Sequence, residues 1–79
     1  MLLEIEKGVY GELSKIREEL YEAMDAEKQR DKVMLLVELS DIVGAIEGYT
    51  QKHYNLTVDD LLKFSRTRSR VIANELQGE

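Results

Sequence analysis

Apolar residues recur at spacings of three and four from the start of the chain. Ile5, Val9, Leu13, Ile16, Leu20 and Met24 form one stripe, which predicts a helix from about Leu3 to Met24. Gly8 and Gly11 weaken its first half. The polar stretch Asp25 to Arg30 breaks the stripe, and Asp31 is placed to cap a second helix reaching about Tyr49 to His53. Asn55 stands where helices commonly stop. Thr57, with Asp60 three residues on, approximates a capping box and starts a third helix through about Leu76. No segment is rich in Gly or Ser, proline is absent and no repeat exceeds the helical period, so residues 1–79 read as a single all-α domain of three helices.

The second helix is apolar nearly all round. Leu35, Leu39, Ile42 and Ile46 line one side, and Val33, Val37, Gly44 and Gly48 the other, which predicts a central, buried helix. Between those sides runs the row Met34, Glu38, Asp41 and Ala45, so two carboxylates share one face flanked by apolar residues. An ionised carboxylate in such a setting costs several kcal/mol unless a cation or hydrogen-bond donors meet it. Two neighbours of like charge also repel, so Glu38 and Asp41 require a partner. Salt bridges to Lys or Arg on another helix are the plain solution.

Size and charge sharpen that requirement. A chain of 79 residues buries only about 60% of its unfolded surface, and small scaffolds usually need disulfides, metal or oligomerisation for support. Without cysteine, neither a disulfide nor a thiolate zinc site is possible, which leaves an oxygen-ligated metal, self-association, or both. The net charge of -5 argues against nucleic acid as a partner, because phosphate-backbone binding needs a dense Lys/Arg surface. The longest apolar run, Val33 to Val37, is far too short to span a membrane, and Glu4 and Glu6 stand where a secretory leader would be apolar, so a cytoplasmic location is expected.

The first helix supplies the complement to Glu38 and Asp41. Glu18, Glu19 and Glu22 form an EExxE segment beside its stripe, and the connection to Glu38 is long enough for a turn and an antiparallel neighbour. Glu19, Glu22, Glu38 and Asp41 then face a common point. An exposed acidic face in which Lys15 pairs with Glu19 one turn on is the plain alternative. Four carboxylates without Cys or paired His select a hard cation, and Mg²⁺ fits better than zinc, with Mn²⁺ expected to substitute.

At these residues the sequence resembles the MazG-like, all-α nucleoside triphosphate pyrophosphohydrolases, whose signature is EExxE followed by ExxD. Here the motif reads Glu18-Glu19-Leu20-Tyr21-Glu22 and Glu38-Leu39-Ser40-Asp41. Ile16-Arg17, Ala23, Leu36-Val37 and Leu56 to Asp60 extend the likeness over a core of about 12–72. The resemblance implies an oligomeric helical bundle, dimeric or tetrameric, that hydrolyses an NTP or dNTP to monophosphate and pyrophosphate, as a house-cleaning enzyme of the nucleotide pool. Carried over by position, Glu19, Glu22, Glu38 and Asp41 are the Mg²⁺ ligands. Glu18 binds a second metal or orients the attacking water, and Glu38 joins it as a catalytic residue. The chain departs from the family in helix three, where Ser65, Arg68 and Ser69 replace the usual Lys and Lys-Asn pair.

Leu61 to Arg70 holds Lys63, Arg66, Arg68 and Arg70 with no acid, either a solvated face or an anion site, and Arg66 and Arg68 are the candidate phosphate contacts. His53 has no second His or Cys and is expected at a surface or helix end. Tyr49 is the best candidate to stack on a base, although core packing is the commoner role. Gly44 and Gly48 would let another helix approach, as in a subunit contact. Against the enzyme stands a non-catalytic helical interaction module whose acids are salt-bridged.

Overall fold

A computed structural model describes residues 4–78, except the side chains of 69–73 and 75–78. Three helices follow in order, α1 (Leu13–Lys28), α2 (Lys32–Tyr54) and α3 (Val58–Gly78), and the described residues contain no strand, so the chain is all-α. No described helix is long and apolar enough to cross a membrane.

The helix boundaries follow local chemistry. Asp31 Oδ1 accepts the Met34 amide at 3.0 Å and starts α2. Asn55 ends α2 in the left-handed region, φ 55° and ψ 40°. The Thr57 amide donates to Asp60 Oδ2 at 2.9 Å while the Asp60 amide donates back to Thr57 Oγ1 at 3.2 Å, a reciprocal cap for α3. Glu47 adds its carboxylate to that same helix start, accepting the Val58 amide at 3.1 Å.

The first helix differs from the pattern at both ends. It begins at Leu13, after an extended Glu12 and a Gly11 whose φ of +90° only glycine adopts without strain. Ile5 and Val9 therefore lie outside it, although they keep its spacing; Leu3 is outside the described residues. At the other end α1 continues through Asp25 to Lys28, and Arg30, with φ 57°, makes the reversal into α2.

The segment 8–12 folds back over the hairpin of α1 and α2. The Gly8 amide donates to Glu18 Oε1 at 2.8 Å and the Val9 amide to Ser14 Oγ at 3.0 Å. At the far end, Glu12 pairs with Lys52 at 2.7 Å and with His53 at 3.1 Å, and His53 Nε2 also lies 3.1 Å from the Gly11 carbonyl. Hydrogen bonds from Lys52 and, to a smaller extent, His53 hold the Glu12 carboxyl below its usual range. His53 thus sits at a helix end, as expected. The ring of Tyr10 rests on Gly48, where a methyl group would come within 2.6 Å of it. Gly48 accordingly receives a side chain of its own chain rather than a neighbouring helix, while the face above Gly44 is open.

The α1–α2 contact is turned inside out relative to its hydrophobicity. Its buried positions are Glu18, Glu19, Ala23, Asp25 and Ala26 on α1 and Glu38, Ala45, Gly48 and Thr50 on α2. The predicted stripe of α1 points away, with Leu13 60% exposed, and so does the apolar bulk of α2, with Val33 72% and Leu36 68% exposed. Helix α2 is therefore not buried within one chain. Small alanines let the helices approach closely, and the only apolar side chains that are buried among the described residues are Ala23, Ala26 and Ala45.

Among the described residues the third helix touches α2 and makes no contact with α1. The result is elongated: the Cα radius of gyration is 15.8 Å, against roughly 12 Å for a compact domain of this length. Accessible surface tells the same story. It is 6297 Å², roughly 1,400 Å² more than a compact monomer of this mass exposes.

Candidate metal centre

Helix α1 presents Glu19 to α2 because Glu19 shares a face with Ala23 and Ala26, the residues that make the helix contact. From α2, Glu38 and Asp41 project towards it, one turn apart and one turn before buried Ala45. One carboxylate oxygen from each of Glu19, Glu38 and Asp41 lies within 4.8 Å of the other two. Glu19 and Glu38 are buried and Asp41 is exposed. The hairpin thus brings together three of the four acids that the sequence assigned to one point.

Glu22 stands slightly apart. It lies one turn nearer the hairpin bend and, with Glu38 and Asp25, lines a separate cleft of about 210 Å³. Asp25 there accepts the Gln29 amide group at 3.0 Å. Glu22 still acts on the centre through its charge. Burial raises the Glu38 carboxyl above its ordinary range, and the charges of Glu22, Asp41 and Glu19 push it in the same direction. Among the described residues no Lys or Arg forms an ion pair with Glu38 or Asp41.

Glu18 has a different environment. It is only 4% exposed, yet its oxygens meet the Gly8 amide at 2.8 Å, Lys15 at 3.2 Å and Lys7 at 3.7 Å. The Gly8 hydrogen bond, reinforced by Lys15, holds this carboxyl below its usual range. Glu18 therefore faces the back-folded segment and lies outside the three-acid group.

Lys15 Nζ bridges two acids, 3.2 Å from Glu18 Oε1 and 3.2 Å from Glu19 Oε1. Those hydrogen bonds raise its pKa, so it is a fixed cation. It borders a cleft of about 350 Å³ beside the centre, lined also by Tyr10, Glu19, Ser40, Asp41, Gly44 and Ala45.

The sequence reading missed Tyr10 as part of this cleft, because the predicted helix placed it on α1 instead of on a segment folded over Gly48. The glycine pair around it was the available signal. Tyr49, the expected stacking residue, packs instead on His53 with ring centroids 4.4 Å apart. Arg66 and Arg68 are exposed on α3, which does not reach α1, so one chain does not bring them to the acids. The side chains of Ser69 and Arg70 lie outside the described residues.

A hard cation fits this donor set. Three carboxylate oxygens converge, and Glu38, 7% exposed, is a buried acid whose charge has no counter-ion among the described residues. No family model, curated protein or solved structure matches the chain.

Proposed function

We propose that the protein is a Mg²⁺-dependent nucleoside triphosphate pyrophosphohydrolase of the MazG-like type, cleaving an NTP or dNTP to monophosphate and pyrophosphate. The observation that carries this reading is the convergence of Glu19, Glu38 and Asp41 within 4.8 Å, with buried Glu38 lacking a basic partner among the described residues. A salt-bridged, non-catalytic module accounts for Glu18 and Glu19, which share Lys15, but not for Glu38 and Asp41.

Glu19, Glu38 and Asp41 would hold the cation, with Glu22 close enough to join from the adjoining cleft. Once bound, Mg²⁺ neutralises phosphate charge and acidifies water for in-line attack. Glu38 must lose its proton to serve as a ligand, so loading is favoured as pH rises above the ordinary carboxylate range. Tyr10 borders the same cleft and would stack on a planar base held there. Glu18 anchors the segment that carries Tyr10, a positioning role in place of a direct one.

The working form is an oligomer. The excess surface of roughly 1,400 Å² per chain is what an obligate interface of nearly 3,000 Å² in total would bury. Its centre would be the outward faces of α1 and α2, and α3 of a second copy would carry Arg66 and Arg68 to the triphosphate.

The reading is tested by a panel of canonical and oxidised NTPs and dNTPs with Mg²⁺. Equimolar pyrophosphate and monophosphate from at least one of them is the expected result. Release of orthophosphate alone, or no product from any, contradicts it.

A further inference from the structure

The proposed hydrolase leaves Lys15 without a task beyond balancing charge, yet its position is specific. Among the residues lining the cleft beside the centre it is the only cation, and it shares that cleft with two of the three metal-site acids, Glu19 and Asp41. It is held at 3.2 Å by Glu18 and at 3.2 Å by Glu19. These two acids differ in kind. Glu18 faces away from the three-acid group and is fixed by the Gly8 amide, whereas Glu19 belongs to the group.

Glu19 cannot serve both cations fully through one carboxylate, because an ammonium and a divalent ion crowded on it repel each other. Glu18 can keep Lys15 when Glu19 gives it up. The charge count gives Lys15 a task. Three carboxylates against a dication leave a negative charge, to which Glu22 adds, and Lys15 is the residue lining the cleft that offsets part of this repulsion towards a polyanion.

We infer that Lys15 is an exchangeable counter-ion: it neutralises Glu19 in the metal-free protein and, retained by Glu18 once Glu19 turns to the cation, binds a phosphate oxygen of the nucleotide. This rests on the hydrolase reading above and deepens it by naming a phosphate-binding residue within a single chain. Arg66 and Arg68, by contrast, require a second copy to reach the acids. The side chain is 27% exposed, enough for the ammonium to meet a ligand without leaving Glu18.

Calorimetric titration of wild type, Lys15→Met and Lys15→Arg tests the exchange, using Mn²⁺ alone and then an uncleavable α,β-methylene nucleoside triphosphate with Mn²⁺ present. Lys15→Met should bind Mn²⁺ about three- to tenfold more tightly, since a competitor for Glu19 is gone. The same variant should bind the analogue at least about tenfold more weakly, and Lys15→Arg should recover most of that loss. A lysine that merely braces the fold would weaken both together and lower the melting temperature. Unchanged or weaker Mn²⁺ binding by Lys15→Met, or unchanged analogue binding, overturns the inference. Should Lys15→Met fail to fold, Lys15→Gln, which can still hydrogen-bond Glu18, must show the same opposed pair of shifts. Wild-type protein that binds neither probe overturns the hydrolase reading and this inference with it, whereas wild-type binding of both with an unaffected Lys15→Met overturns this inference alone.

Discussion

Glu38→Gln is expected to stabilise the metal-free protein and to destroy its metal response. Glu38 holds its proton more tightly in the folded chain than in the unfolded one, through burial and the charges of Glu22, Asp41 and Glu19. Its contribution to stability is therefore complete at low pH and is lost as pH rises through its raised folded-state pKa. At about pH 7.5 the amide removes that cost, and the melting temperature should rise by a few degrees at fixed protein concentration. Near pH 4 the advantage should vanish. Glu18 runs the other way: its pKa is depressed by the Gly8 amide and by Lys15, so its contribution is present above the ordinary carboxylate range and lost as pH falls.

With Mg²⁺ the order of the two proteins should reverse. Wild type gains stability with the logarithm of free Mg²⁺ above its Kd, Glu38→Gln does not, and its hydrolysis of nucleotide falls by at least about a thousandfold, some 4 kcal/mol of lost transition-state stabilisation. Differential scanning fluorimetry across pH, with and without Mg²⁺, separates the two effects. A metal-free Glu38→Gln less stable than wild type at neutral pH would mean that Glu38 has a basic partner.

Leu36→Glu is expected to dissociate the protein and largely unfold it. Leu36 and Val33 are almost fully exposed on α2 in one chain, while the buried contact with α1 contains no apolar side chain larger than alanine. The hairpin alone has little hydrophobic stabilisation, and in the oligomer proposed above a second copy would cover these faces. A carboxylate placed there is buried unpaired in every subunit, at a cost of about 3–5 kcal/mol, which corresponds to a fall in melting temperature of roughly 15–30 °C. Gln51→Glu, on an exposed polar position of the same helix, should leave the assembly unchanged. Sedimentation with circular dichroism checks both variants. A wild-type chain that is monomeric and unfolds cooperatively at micromolar concentration would contradict the expectation.

The contrast between those two variants shows what the sequence could convey. Local chemistry was legible: Asp31, Asn55 and the Thr57–Asp60 pair each act within a few residues, and each does in the structure what its position indicated. The start of α1 was not, because Ile5 and Val9 continue the helical spacing through a segment that Gly11 bends out of the helix. Periodicity reports that a stripe exists, but not whether it meets its own chain or another. Helix α2 was therefore read as central and buried, although its contact within the chain is made of alanines and acids.

The same distinction runs through the site. Glu19, Glu38 and Asp41 meet because helical rise and one short turn fix their heights, which counting along the chain can follow. The same counting sets Glu22 level with Glu38, whose carboxyl its charge does reach, although its oxygens are not among the three that converge. One partner of Glu18, beside Lys15 and Lys7, is a main-chain amide ten positions earlier, a contact made by the fold of segment 8–12 and invisible in residue types. Arg66 and Arg68 sit on a helix that leaves the hairpin, so no property of one chain assigns them to the acids.

Manganese titration followed by electron paramagnetic resonance tests the centre most directly, with wild type compared against Glu19→Gln and Asp41→Asn. Saturable binding by wild type, weakened at least about tenfold in each variant, is the expected result. No saturable binding by wild type, or the same isotherm in all three proteins, would show that these carboxylates do not hold a cation.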